Sequence, residues 1–345
     1  MIFIILICTG CVRDGPLIVD MPITEISGVL DANVPVLMNK YNIEGLSVAI
    51  IRDSKLAITK SYGYSDIESG KKINSNTIYR AASLGKPVFS YLVVQLSLQG
   101  KIDLDRPLFS YFNKRVVEND PRSEIITTRM VLSHTTGLPN LNVKQKDVMF
   151  SFDPGHGYKY SGHAYIYLQK VVEKISGKTL NQLAEELVFQ PLQMSDSSYR
   201  WKAEYDKHIA TGYRKNGKKY PIRNGPSVGY SAWSLFTTPR DYSFFVAHII
   251  ETSKYPNSVA SLLLESTVTV ADRIQWGLGW GLQDTIPFQS FWHWGSNPGF
   301  RHYIVGYPQE KIAVIVMSNS DKAFKIADDV MVKAIGGSYP SYDWF

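Results

Sequence analysis

Cysteine is nearly missing from this chain of 345 residues. Cys8 and Cys11 both fall within the first eleven residues, so no disulfide can staple the fold. No apolar run reaches the ~18–20 residues that a membrane-spanning helix needs. The seven histidines form no H-E-x-x-H, and no carboxylate stands at ligand spacing from a pair of them, so neither metal nor cofactor is expected. A glycine-rich phosphate loop is absent, as is the G-x-S-x-G of a strand-to-helix nucleophile elbow. Charge of one sign is scarce too. Thirty-seven Lys plus Arg against 31 Asp plus Glu leave +6, which gives no reason to expect a nucleic-acid partner. Much of that excess gathers at Arg214, Lys215, Lys218, Lys219 and Arg223 around Asn216-Gly217, a tight-turn pair. A solvated basic hairpin is the expectation there, with a polyanion-binding patch as the alternative. With 44% hydrophobic and 20% charged residues the composition is globular, which excludes disorder.

The N-terminus carries its own signal. Ile2-Phe3-Ile4-Ile5-Leu6-Ile7 precedes Cys8-Thr9-Gly10-Cys11. Small residues before a cysteine, after an apolar stretch, resemble a bacterial lipoprotein signal with Cys11 as the acylated residue. The expectation is a signal over 1–10, a tether over 11–25, and a lipid anchor holding the protein in the bacterial envelope, facing the periplasm; a plain secretory signal and a cytoplasmic apolar N-terminus are the alternatives. The C-x-x-C spacing has no strand or helix before it to support a redox site.

A single domain is expected over 26–337, with a tail over 338–345. Strand candidates open it: Leu46–Ile51, the turn Asp53-Ser54, then Leu56–Tyr64. From Phe89 the period becomes helical, through Leu92, Val93 and Leu96, until Gly100. The stretch from about 100 to 250 reads as mostly helical. Ala164, Leu168, Val171, Val172 and Ile175 share one face; Leu180, Leu183, Ala184, Leu187 and Val188 share another, ended by Pro191. Thr238-Pro239 opens a helix through Ile250. Strands return at Trp276–Leu282, Ser290–Trp294, His302–Tyr307 and Ile312–Ser318. A last helix opens near Asp321 and stops at Gly336-Gly337. Strands at both ends with helices between predict one antiparallel sheet built from both termini, of α+β type, with an inserted helical subdomain.

Chemistry concentrates in Ser83-Leu84-Gly85-Lys86, which opens the helix of Phe89. One helical turn sets Ser83 and Lys86 side by side. A partly desolvated lysine has a lowered pKa and can take a hydroxyl proton. A second S-x-x-K, Ser69 to Lys72, falls in a loop. Further along come Leu132-Ser133-His134-Thr135-Thr136-Gly137-Leu138-Pro139, Pro154-Gly155, Tyr160-Ser161-Gly162, Gly277-Leu278-Gly279-Trp280 and His293-Trp294-Gly295-Ser296-Asn297-Pro298-Gly299-Phe300. In order and spacing the set resembles the serine β-lactamase and penicillin-recognising enzyme superfamily. The similar branch is that of class C β-lactamases, DD-peptidases, D-aminopeptidases and related esterases, over roughly residues 30–335.

That resemblance implies a β-lactamase/transpeptidase-like fold and a serine hydrolase working through an acyl-enzyme on a small-molecule or peptide substrate. Ser83 would be the nucleophile, Lys86 its proton partner, and Tyr160 a proton shuttle whose pKa the Lys86 cation lowers. The oxyanion hole would be the backbone N–H groups of Ser83 and Ser296. Gly162, His293, Gly295 and Ser296 would face the substrate. Two positions depart from the pattern: Gly162 replaces the asparagine of Y-x-N, and His293 replaces the lysine of K-T-G. Both argue against efficient β-lactam hydrolysis. Esters come first as substrates, then D-amino-acid peptides or amides, then β-lactams; a DD-carboxypeptidase and a non-catalytic peptidoglycan or penicillin sensor are the alternatives. At position 293 a histidine titrating near pH 6.5 would read a substrate carboxylate on the acidic side. His134 is expected to be structural; His156 and His163 should be rim or packing residues.

Overall fold

The computed structural model describes residues 15–221, 224–285 and 288–344. The expected lipoprotein signal, with Cys8 and Cys11, and Arg223 lie outside these residues. The strands are β1 (Gly45–Arg52), β2 (Lys55–Asp66), β3 (Lys71–Lys72), β4 (Tyr79–Ala82), β5 (Leu235–Thr237), β6 (Val268–Ala271), β7 (Ile274–Trp276), β8 (Gly281–Asp284), β9 (Gln289–Asn297), β10 (Phe300–Tyr307) and β11 (Ile312–Ser318). Nine form one antiparallel sheet in the order β3-β2-β1-β11-β10-β9-β8-β7-β6, while β4 and β5 pair separately. Leu46 of β1 faces Ser318 of β11, so the sheet is built from both ends of the chain.

The helices are α1 (Ile23–Tyr41), α2 (Gly85–Leu98), α3 (Phe109–Phe112), α4 (Thr128–Leu132), α5 (Gly162–Ser176), α6 (Leu180–Ala184), α7 (Pro239–Ser253), α8 (Val259–Leu263), α9 (Ala327–Ile335) and α10 (Pro340–Trp344). Alternation along β1 divides them. Leu46, Val48 and Ile50 face one core with Ile26, Leu30, Val34 and Met38 of α1 and Val330 and Met331 of α9. Ala49 and Ile51 face the other core, with Val88 and Leu92 of α2 and Phe245 and Ile249 of α7. Period two on a strand thus supplies both layers. Helix α2 is buried almost all round and packs against α6 and α8.

Several expectations change. The stretch from 100 to 161 is mostly irregular, with short helices, because Pro107, Pro121, Pro139 and Pro154 break it repeatedly. The single strand expected over Trp276–Leu282 is two, since Gly277–Trp280 turns between β7 and β8. The segment expected as a tether is packed where it is described: Leu17 bridges Gly336, Ile18 donates to Ile335, and α1 starts at Ile23. Residues 340–344, expected in a tail, form α10, with Ser341 buried under Tyr303. The basic stretch does turn at Asn216-Gly217, with Gly217 at φ +77°. Lys219 there is neutralised by Asp66 (2.9 Å) and Glu68 (2.7 Å).

Candidate active site

Ser83 sits in the turn between β4 and α2, partly exposed, directly after Ala82, whose φ of +56° puts a non-glycine residue in the left-handed region. Such strain persists only where the surroundings hold it. Here β4 pairs with β5, while the hydroxyls of Tyr242 and Tyr199 donate to the carbonyls of Leu84 and Gly85 at 2.9 and 2.5 Å. One turn on, Lys86 Nζ donates to Ser83 Oγ at 3.0 Å and to the Ala232 carbonyl at 2.7 Å. Lys86 is 1% exposed. Burial lowers its pKa to about 7, because no carboxylate offsets the cost of a buried cation.

Tyr160 lies immediately before α5, whose N-cap Ser161 accepts from Ala164 N–H. Its ring packs 4.7 Å beneath the Lys86 ammonium. Its buried hydroxyl faces Ser83 without a hydrogen bond of ordinary geometry. The lowered pKa expected for Tyr160 is not found. Burial pushes the phenol well above its ordinary value, and Ser83 only partly opposes this. A lysine that is itself half neutral at pH 7 supplies too little charge to reverse it. The third motif is brought in by β9: a Cβ on Gly295 would lie 2.5 Å from the Ala81 carbonyl, so glycine lets this strand press against the turn that holds Ser83. Ser296 follows at the sheet end, paired with Arg301. Asn297 then ties β9 to the neighbouring turn, its Nδ2 donating to the Trp233 carbonyl at 3.1 Å.

The model of the family described as beta-lactamase matches residues 30–334. The chain belongs to the beta-lactamase family. Among curated relatives of this beta-lactamase-family chain, Protein flp of Staphylococcus aureus strain MW2 is 22% identical over 319 residues, 83% of this chain and 62% of the relative. The chain therefore spans about six-tenths of that relative's length. A Staphylococcus aureus protein named teichoic acid D-alanine hydrolase is 27% identical over 232 residues, 63% of this chain and 57% of its own. Two solved structures share the fold. A class C beta-lactamase superposes with a TM-score of 0.79 at 20% identity, covering 90% of this chain and 97% of the other. The D-alanine carboxypeptidase AmpC of Burkholderia cenocepacia gives 0.78 at 18%, covering 90% and 98%.

The two departures of this family member have structural explanations. At Gly162 a Cβ would meet Leu141 Cγ at 2.5 Å and Asn140 Oδ1 at 2.8 Å. Asn140 Oδ1 accepts from the Gly162 N–H at 3.1 Å, so an exposed amide side chain from the preceding loop stands at the start of α5. Sequence reasoning missed Asn140, as it missed Tyr199 and Tyr242; no spacing rule links residues so far apart. His293 is in the site but not at its surface. It is fully buried, 6.2 Å ring to ring from Tyr160, and its Nδ1 bonds the Trp294 carbonyl at 2.7 Å. Burial and the nearby Lys86 lower its pKa to about 3. The expected carboxylate-reading cation is thus a neutral group that offers Nε2 inward.

The remaining histidines are placed simply. His134 is buried, its ring centred 4.3 Å from that of Tyr160 at a 37° tilt, and its Nδ1 accepts from the Ser161 N–H at 3.1 Å. It shapes the floor beneath Tyr160. His163 bonds the Val143 carbonyl, and His156 lies exposed near Pro154. Ser69 and Lys72 stay outside the site, at the β2–β3 turn.

Proposed function

We propose that this protein is a serine hydrolase that turns over esters, or amides of D-amino acids, through a covalent acyl-enzyme. The observation that carries the reading is Lys86 Nζ at 3.0 Å from Ser83 Oγ with its pKa lowered to about 7. At neutral pH about half of such lysines are unprotonated and can take the serine proton. Ser83 Oγ attacks the substrate carbonyl carbon while its proton passes to Lys86. The tetrahedral oxyanion is held by the N–H groups of Ser83 and Ser296, each such donor typically worth ~3–4 kcal/mol of barrier. Tyr160, kept protonated by burial, gives its proton to the leaving group and is recharged from Lys86. Water then releases the acyl group from Ser83. Gly295 holds β9 close enough for these donors to converge.

The relative named teichoic acid D-alanine hydrolase supports a D-alanine-bearing substrate. Neutral His293 weighs against a β-lactam, whose carboxylate would find no cation at that position. The test is labelling by a fluorophosphonate probe together with ester turnover. Wild type should label and turn over, and Ser83→Ala should do neither. Undiminished hydrolysis by Ser83→Ala would end the mechanism, and labelling without turnover would point to a sensor.

A further inference from the structure

Tyr160 gives the leaving group its proton in the proposed reaction, so whatever fixes its hydroxyl helps to set the rate. Yet it stands at the end of an irregular stretch, outside any helix or strand. Much of the hold on it comes from another segment, through His134 in the turn after α4. The Lys159 N–H donates to the His134 carbonyl at 2.8 Å, and the Ser161 N–H donates to His134 Nδ1 at 3.1 Å. The residues on either side of Tyr160 are thus tied to the same residue. Between them the phenol ring lies against the imidazole, centres 4.3 Å apart at a 37° tilt.

His134 is built for this hold rather than for packing alone. Its φ of +59° is a left-handed conformation that non-glycine residues keep only where the surroundings enforce it. Here they do. The His134 N–H reaches the Val131 carbonyl at 3.2 Å, the Thr135 N–H that of Met130 at 2.9 Å, and the Gly155 N–H that of Thr135 at 2.8 Å. The imidazole is fully buried among the rings of Tyr158, Tyr165 and Trp276. Burial first, then the charges of Lys86 and His293, hold its pKa well below the ordinary histidine value, so Nδ1 stays open as an acceptor. A neutral imidazole that accepts at Nδ1 carries its proton on Nε2. Among the described residues that Nε2 has no hydrogen-bond partner. A buried unpaired donor is a cost that an apolar side chain would not carry, which points to Nδ1 as the reason for a polar ring here.

We infer that His134 is a positioning residue: by tying the residues on both sides of Tyr160 and backing its ring, it sets the phenol hydroxyl where the leaving group takes up its proton. The inference rests on the hydrolase reading, with Tyr160 as the acid. A displaced acid is costly only when the leaving group needs a proton. An alkoxide must be protonated as its C–O bond breaks, whereas p-nitrophenolate departs as the anion. The measurement is therefore kcat/KM for ethyl butyrate and for p-nitrophenyl butyrate, which share an acyl group. His134→Leu keeps the bulk and drops the acceptor. It should lose about a hundredfold on ethyl butyrate, as for a ~1 Å misplacement, and about threefold or less on p-nitrophenyl butyrate. Leucine at a left-handed φ risks misfolding, so His134→Asn is the second variant. Asparagine tolerates that conformation and its Oδ1 can accept from Ser161, so it should lose about tenfold on ethyl butyrate alone. In a Tyr160→Phe background neither change should cost more than about threefold further, because each acts through the missing hydroxyl. Wild-type rates, an equal loss on both esters, or a full further loss in the Tyr160→Phe background would overturn the positioning role. A Tyr160→Phe variant with no bias between the esters would overturn it together with the proton route it serves. Nitrogen NMR gives a readout apart from turnover: at neutral pH the His134 proton should sit on Nε2, and a proton on Nδ1 would overturn the inference at any activity. The hydrolase reading is decided separately, by whether Ser83→Ala turns over p-nitrophenyl butyrate.

Discussion

At the scale of single residues, the site is governed by burial more than by neighbouring charge. Lys86 is pushed down to about 7 and His293 to about 3, while Tyr160 is pushed up, all with desolvation as the first cause. Two pH predictions follow from these directions. A base titrating near 7 works in its neutral form, so kcat/KM for a neutral ester should climb through pH 7 and level off above it. A rate that falls as pH rises from 6 to 8 would contradict a neutral Lys86. Stability carries the same sign. The unfolded lysine holds its proton up to about 10.4, the folded one only to about 7, so the cost of folding around Lys86 is full below pH 7 and fades between 7 and 10.4. Hence the stability of Lys86→Met relative to wild type, followed by urea denaturation, should decline across that window. The second prediction concerns His293, which is neutral well above its folded value. The ratio of kcat/KM for a carboxylate-bearing ester to that for its methyl ester should stay flat from pH 5.5 to 8.5. A roughly tenfold fall across pH 6.5 would restore the histidine as the reader of charge. The sequence motif marks its position; only its depth in the fold shows why its pKa falls to about 3.

Among secondary-structure elements, close approach decides what the site can do. Strand β9 touches the β4–α2 turn only because Gly295 has no side chain. Gly295→Ala drives a methyl group toward a backbone carbonyl that cannot rotate away, so it should cost about 1–3 kcal/mol in urea denaturation. A displacement near 1 Å of the Ser296 donor should lower kcat about a hundredfold. Activity equal to wild type would show that β9 and β4 do not form the oxyanion site together. These elements also show where the sequence was legible. Strand β11 was read to its residue limits and α7 from its Thr238-Pro239 cap, because both carry strong local patterns. Helix α1 went unread, although Ile26, Leu30, Val34 and Met38 all point into the core. Pro35 interrupts that pattern, and its burial depends on a sheet contributed largely by distant segments. That Ser83, Lys86 and Tyr160 come together was legible from motif spacing. Asn140, Tyr199 and Tyr242 were not, because each acts through a long-range contact. The expected helical middle is present in α5, α6 and α7 but not over 100–161, where Pro107, Pro121, Pro139 and Pro154 interrupt the chain.

For the whole molecule, we propose that residues 1–10 are a lipoprotein signal and that Cys11 carries a lipid. Expressed in a bacterial host, the protein should partition into the detergent phase and Cys11→Ser should leave it; equal partitioning of the two would remove the anchor. The sheet order bears on how such a chain comes to be folded. Strand β1 lies between β2 and β11, and Leu17 reaches Gly336. Synthesis at ~5–20 residues per second therefore leaves the β1–β2 pair waiting on the order of 10–50 s for its central neighbour. During that interval one apolar strand edge has nothing to pair with and most of the core has no second wall. Folding cannot be completed domain-first on the ribosome, because contacts this far apart in sequence close late and slowly. An emerging chain of this design stays threadable until Ile312–Ser318 arrives, and it depends until then on whatever shields its edge.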